Sequence, residues 1–187
     1  MPAFIPLTLR TERLILRPLT VADAEAMFAV FSDPEALRYW SCVPWTELAQ
    51  AHTWLAETMR EYASGNSLRF GVEVAGSGAL IGMCTLHALN RANRRCETGY
   101  ILDRNHWGAG YMAEAMTAVL AHAFGALDLN RLEADIDPAN AASAKLLLRM
   151  GFRKEGFMRE RWIVDGVASD SDYFGLLRSD WLAAQAQ

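Results

Sequence analysis

No stretch of this chain approaches the roughly 20 consecutive apolar residues of a membrane span, and its apolar start, Met1 to Pro6, has neither a basic leader nor a signal-length core. Membrane insertion and export are therefore not expected; a cytoplasmic protein is. Cysteine is scarce: Cys42, Cys84 and Cys96 form an odd, scattered set with neither disulfide-framework nor metal spacing, so reduced thiols are expected. His52, His87, His106 and His122 show no ligand pattern either, and no metal site is expected. Basic residues are outnumbered, 18 Lys and Arg against 22 Asp and Glu, and the charge of -4 runs against the Lys/Arg clusters by which proteins hold nucleic acid. Arg91, Arg94 and Arg95 are a local exception, read as a solvated hairpin loop that can also steer an anion. Linkers, repeats and low-complexity tracts are missing too. The 187 residues are expected to form one domain over 9–182, with tails at 1–8 and 183–187.

What is there is periodic. Leu14 and Leu16 alternate with Arg13, Ile15 and Arg17 in a first strand closed by Pro18. Thr20 with Asp23 caps a helix whose buried stripe is Ala24, Met27, Phe28 and Phe31, and Asp33-Pro34 ends it. Thr46 is expected to cap the next helix, running past Trp54 and Leu55 to the turn at Ser64-Gly65-Asn66-Ser67. Strands over Arg69–Ala75 and Ala79–His87 flank Gly76-Ser77-Gly78, a hairpin signal. Strand and helix then alternate: Cys96–Leu102, Gly110 to about Leu127, Leu132–Ile136, Asn140–Met150. Asp165-Gly166 joins two last strands, suiting the positive φ angles of a tight hairpin. This order predicts an α/β fold, a mixed and twisted sheet of about seven strands with helices on both faces.

Two strand-to-helix junctions carry the chemistry. In Trp107-Gly108-Ala109-Gly110-Tyr111, two glycines at the mouth of a helix let unpaired first-turn N–H groups approach a ligand with no Cβ in the way. Peptide dipoles leave partial positive charge there, so the guest is expected to be a phosphate or pyrophosphate. At the second junction Asn140 reads as an N-cap whose side chain accepts from the N–H near Ser143, and Gly151 as the left-handed residue that stops the helix. Gly108 to Ala113 also fits the dinucleotide fingerprint of nicotinamide enzymes, but Asp103 to Trp107 separate it from its strand and several strands precede it.

Taken together these residues resemble the GNAT superfamily of N-acetyltransferases, whose pyrophosphate loop reads Arg or Gln, two residues, Gly, one residue, Gly or Ala. Here those positions are Asn105-His106-Trp107-Gly108-Ala109-Gly110. The branch of ribosomal-protein (Rim-type) N-terminal acetyltransferases is closer still. It shares the opening Thr11-Glu12-Arg13-Leu14-Ile15-Leu16-Arg17-Pro18, Gly99-Tyr100 on the central strand, Trp107-Gly108-x-Gly110-Tyr111, and Asn140-x-x-Ser143 ahead of Gly151-Phe152. The resemblance runs from about Thr11 to Trp181. It implies the GNAT fold, with acetyl-CoA as co-substrate lying where the strands Cys96–Leu102 and Leu132–Ile136 splay apart. Its pantetheine arm pairs with the main chain of Ile101 and Leu102, by strand addition. Its pyrophosphate rests on N–H groups from about His106 to Met112, Ala109 and Tyr111 included, with Asn140 and Ser143 on the facing helix. Asn105 replaces the family's Arg or Gln and removes one charge, which Arg104 or Lys145 can restore.

The implied chemistry is direct attack of a neutral amine on the thioester in a ternary complex. It needs a base, an oxyanion donor and a group for the departing thiolate. The oxyanion is assigned to a main-chain N–H near Ile101 or Leu102, the thiolate to Ser143. Many family members carry a Tyr four residues beyond that Ser; Leu147 stands there here. The expected base is Glu97, on the central strand. Some Rim-type enzymes place a catalytic Glu nineteen residues after the Ser, which is Trp162 in this chain, with Glu160 as a fallback on the same sheet face by alternation. The aromatic segment Tyr39 to Trp45 is expected to border the acceptor, with Trp107, Trp162 and Tyr173 as further walls. The acceptor is a protein N-terminal α-amine or a small, antibiotic-like amine, and the resemblance makes a homodimer plausible. A non-catalytic acyl-CoA-binding sensor is the alternative from another class, and Trp162 lends it support.

Overall fold

A computed structural model describes residues 5–185. Eight strands form one sheet in the order β1-β2-β3-β4-β5-β6-β8-β7. They are β1 (Leu9–Arg10), β2 (Leu14–Pro18), β3 (Leu68–Val74), β4 (Leu80–Asn90), β5 (Arg95–Leu102), β6 (Arg131–Ile136), β7 (Arg153–Val164) and β8 (Val167–Leu177). Seven were expected; the eighth is β1, two residues pairing Leu9 with Leu16 and Arg10 with Ile15, too short for periodicity to register. Every pairing is antiparallel except β5 with β6.

Each face of the sheet has its own helices. On one, α3 (Tyr111–Phe124) and α4 (Ala141–Arg149) cover Leu14, Leu16, Phe70 and Cys84. On the other, α1 (Ala24–Phe31) and α2 (Leu48–Ser64) cover Met83 and Ile101. Strand alternation produces this division, since Leu102 belongs to the first cluster and its neighbour Ile101 to the second. A fifth helix, α5 (Arg178–Gln185), continues from β8 and includes Ala183 to Gln185, which were expected as tail. Met1 to Phe4 and Ala186-Gln187, the outer parts of the expected tails, lie outside the described residues.

Local signals are realised where the chemistry is local. Thr20 N–H donates to Asp23 Oδ2 at 2.7 Å and leads through a 3₁₀ turn into α1. Asp165 and Gly166 both take positive φ, +50° and +77°. The cap of α2 is Glu47 rather than Thr46: Gln50 reaches back to accept from both N–H groups, at 2.9 and 2.7 Å, so the helix begins one residue later. The arginines of the Arg91–Arg95 hairpin are engaged, Arg94 with Asp128 at 2.8 Å, Arg95 with Glu133 and Arg91 with the Gly65 carbonyl. They offer no basic patch. No described helix is long and apolar enough to cross a membrane.

Candidate active site

β5 and β6 stay in register for only three pairs, Arg95 with Arg131, Cys96 with Leu132 and Glu97 with Glu133. Beyond these, β5 follows β4 to Leu102 and β6 follows β8 to Ile136, so the sheet opens between their C-terminal ends as the family resemblance implied. Two cavities flank the opening. One, of about 440 Å³, lies against β5, the loop after it and the first turn of α3; the other, of about 1020 Å³, lies under the α1–α2 connection. They share Tyr39, Trp40, Tyr100, Asn140 and Ser143.

The loop between β5 and α3 is built to present its backbone. Asp103 accepts from the Asn105 N–H at 2.9 Å and caps a 3₁₀ turn over Arg104–His106. Trp107 Nε1 donates to the Leu102 carbonyl at 2.8 Å, which gives that carbonyl one partner already. Gly108 and Gly110 take φ of +74° and +81°, where an L side chain is strained. Among the described residues, none of the N–H groups from Gly108 to Ala113 has a hydrogen-bond acceptor. The opening motif of the chain holds this loop from behind. Arg13 Nη1 donates to the Ala109 carbonyl at 3.0 Å, Arg13 Nε to Glu114 Oε2 at 2.6 Å, and Thr11 Oγ1 to Glu114 Oε1 at 2.5 Å. Burial works to raise the Glu114 carboxyl, but the hydrogen bonds from Thr11 and Arg13 outweigh it and hold the group below its ordinary value.

Across the opening, Asn140 caps α4 and accepts from the Ser143 N–H at 3.0 Å, which leaves the Ser143 hydroxyl free for other work. That hydroxyl lies 2.7 Å from the Tyr100 phenol. Glu97 lines the larger cavity on β5, with His87 Nε2 3.6 Å from its carboxylate. Four buried side-chain atoms of that cavity, Ser67 Oγ, Thr85 Oγ1, His87 Nδ1 and Ser171 Oγ, have no protein partner among the described residues.

A family model for the acetyltransferase (GNAT) domain matches residues 13–153. This chain belongs to the GNAT acetyltransferases. It is 36% identical over 174 residues to the uncharacterized N-acetyltransferase p20 of Bacillus licheniformis, covering 93% of this chain and 98% of that one. It is 27% identical over 178 residues, 92% of each chain, to the [ribosomal protein uS5]-alanine N-acetyltransferase of Escherichia coli. Its fold superposes on a GCN5-related N-acetyltransferase from Brucella melitensis with a TM-score of 0.86, at 25% identity, covering 99% of this chain and 85% of that one.

GNAT enzymes use acetyl-CoA, and the smaller cavity fits it chemically. It offers a run of unsatisfied amides for a diphosphate, a free strand margin for an amide-bearing arm, and two cations, Lys145 and Arg149, one turn apart on α4. Of the residues the sequence nominated, Ile101, Leu102, His106, Trp107, Gly108, Gly110, Tyr111 and Met112 line it, with Asn140 and Ser143 opposite. Asn105 and Ala109 do not. Asn105 closes its amide on Asp103 at 3.1 Å, and Ala109 turns its carbonyl to Arg13. Arg104 pairs with Asp33 at 3.2 Å, away from the cavity, so Lys145 is the better replacement for the missing loop cation. Arg149 went unnoticed although the spacing from Lys145 marks it.

The larger cavity gathers most of the aromatic residues nominated from the sequence. Every residue from Tyr39 to Trp45 lines the larger cavity, while Trp45 also stacks on Phe31 with ring centroids 4.5 Å apart, so the segment is wall and core at once. Trp162 lines it too, its Nε1 held by Asp135 at 3.3 Å. Trp107 belongs to the smaller cavity and Tyr173 to neither. Glu160 is not on the face that alternation gave it. A bulge between Met158 and Trp162 puts it at φ +50°, exposed, with its N–H on Asp170 at 2.8 Å.

Proposed function

We propose that this GNAT enzyme acetylates the α-amine of a protein N-terminus, of the ribosomal-protein type, in the cytoplasm. Acetyl-CoA occupies the smaller cavity and the acceptor the larger one. The observation that carries the reading is the junction of the two cavities, lined from both sides by Tyr39, Trp40, Tyr100, Asn140 and Ser143, where a thioester and an amine can come together. The larger cavity, about 1020 Å³, exceeds what a compact amine fills and has the room an extended chain needs. Likeness to the uS5-alanine enzyme supports the same class.

In this reading bound acetyl-CoA supplies the acetyl group in activated form, and the chain does the rest. The amides from Gly108 to Met112, at the dipole-positive end of α3, hold the diphosphate, and Lys145 adds charge. Ile101 and Leu102 present main chain, one N–H of which meets the oxyanion. Glu97 takes the ammonium proton, directly or through water, and the Ser143 hydroxyl, at the N-terminus of α4, meets the departing thiolate.

Mass spectrometry of protein N-termini and of cellular amines, with and without the gene, tests the assignment. A terminus that loses its acetyl group in the deletion strain is the expected result. Acetylated small amines with unchanged termini would move the enzyme to the other acceptor class, and no CoA release with any amine would make it the sensor instead.

The Thr11–Arg13 clamp yields a second expectation. Without Arg13 the Glu114 carboxylate stands uncompensated beside the diphosphate, and like charges in the first turns of a helix oppose binding. Calorimetry should find that Arg13→Ala weakens CoA binding by about tenfold, and that adding Glu114→Gln restores most of the loss. A double variant as weak as the single one would make the clamp purely mechanical.

A further inference from the structure

Tyr100 lines both cavities and reaches from β5 to within 2.7 Å of the Ser143 hydroxyl on α4, and the chemistry assigned above leaves it without a role. A serine hydroxyl has one hydrogen and two lone pairs. If Ser143 spends that hydrogen on Tyr100, it shows only lone pairs to the cleft, which repel a thiolate. When Tyr100 is the donor, the Ser143 hydrogen is free to point into the cleft.

The second arrangement is the one that serves a departing thiolate, and the surroundings allow it. Burial pushes the Tyr100 phenol up to about 12, against the opposing pull of its hydrogen bond with Ser143, so it keeps its proton throughout the working range of an enzyme. Its hydrogen-bond partners are both on Ser143: the hydroxyl at 2.7 Å, where either oxygen can be the donor, and the carbonyl, which can only accept, at the outer limit of 3.5 Å. Ser143 is buried, and its N–H is committed to Asn140, so the hydroxyl is the group of this residue left to act in the cleft. Leu147, one turn further along α4, is fully buried and apolar, which leaves β5 to supply the phenol.

We propose that Tyr100 is a positioning residue: its phenol donates to Ser143 Oγ and thereby aims the Ser143 hydrogen at the sulfur that leaves. The inference rests on the assignment of Ser143 to the leaving thiolate. When the C–S bond breaks, its electron pair goes to sulfur, the Ser143 O–H stabilises that charge, and Tyr100 keeps its proton. Full transfer from the phenol to a thiolate of ordinary basicity would be uphill by roughly a thousandfold, so donation of a hydrogen bond is the role that fits.

The test titrates the ultraviolet thiolate band of CoA bound to the wild-type enzyme, to Tyr100→Phe, to Ser143→Ala and to the double variant, alongside kcat for each. Tyr100→Phe and Ser143→Ala should each raise the apparent pKa of the bound thiol by about one pH unit, with no further rise in the double variant. Tyr100→Phe should lower kcat about tenfold, leave KM for acetyl-CoA within about twofold, and add nothing to the loss from Ser143→Ala. A Tyr100→Phe enzyme that titrates and turns over like wild type while Ser143→Ala does not, or losses that multiply in the double variant, would overturn the role of Tyr100. Wild-type behaviour of Ser143→Ala in both measurements would overturn the assignment of Ser143 beneath it. A fluorinated tyrosine at position 100 keeps the ring and strengthens the donor, so the readout survives even if phenylalanine destabilises the fold. It should lower the bound thiol pKa, and an unchanged or higher value would count against the proposal.

Discussion

Ser143→Ala should lower kcat by about a hundredfold while leaving acetyl-CoA affinity within about twofold, as read by steady-state kinetics beside calorimetry. The substitution is a clean probe because the helix depends on the residue only through its backbone. The cap bond runs from the Ser143 N–H to Asn140 and survives in alanine, which is itself the best helix former. What disappears is a hydroxyl at the junction of the two cavities, where its hydrogen meets negative charge only as the thioester breaks. Stabilisation confined to that moment appears in kcat and not in ground-state binding. A kcat equal to wild type would leave Ser143 as a small residue at a crowded helix face and nothing more.

Gly110→Val should weaken CoA binding by about a hundredfold and lower the melting temperature by only a few degrees. At φ +81° the position is left-handed, and a β-branched side chain cannot occupy it without strain on the order of 1–3 kcal/mol. The helix can relieve that strain by swinging its first turn away. The same movement turns aside the amides from Gly108 to Ala113, which stay aligned only while Gly110 holds its conformation. Gly108→Ala is the milder comparison: its φ is also positive, at +74°, but a Cβ there meets nothing within 4 Å. Calorimetry showing wild-type affinity in Gly110→Val would remove the diphosphate from this loop.

The parts of this molecule that could be read from sequence are those whose cause is local. Asn140 and Gly151 announce the two ends of α4 by side-chain and φ chemistry alone, and Asp165-Gly166 announces a turn that only such residues tolerate. The opening between β5 and β6 followed from the family resemblance, and the register bears it out. What stayed hidden depends on partners distant in the chain. At the bulge that holds Glu160, its N–H donates to Asp170 on the neighbouring strand. Asn105 has its amide held by Asp103, and Tyr100, on β5, meets the Ser143 hydroxyl at 2.7 Å from α4; neither contact has a local signal in the sequence. The role of Thr11 and Arg13 likewise needed Glu114, about a hundred positions away, to become visible.

The brief contact between β5 and β6 leaves a seam in the sheet. Five strands lie on one side of that seam and three on the other, and three residue pairs are all the sheet has to join the two slabs. A ligand seated across the seam acts as mortar between them. Free energy of association then reappears as cohesion of the whole, by mass action, so a cell well supplied with thioester holds a sturdier protein than a purified, ligand-free sample contains.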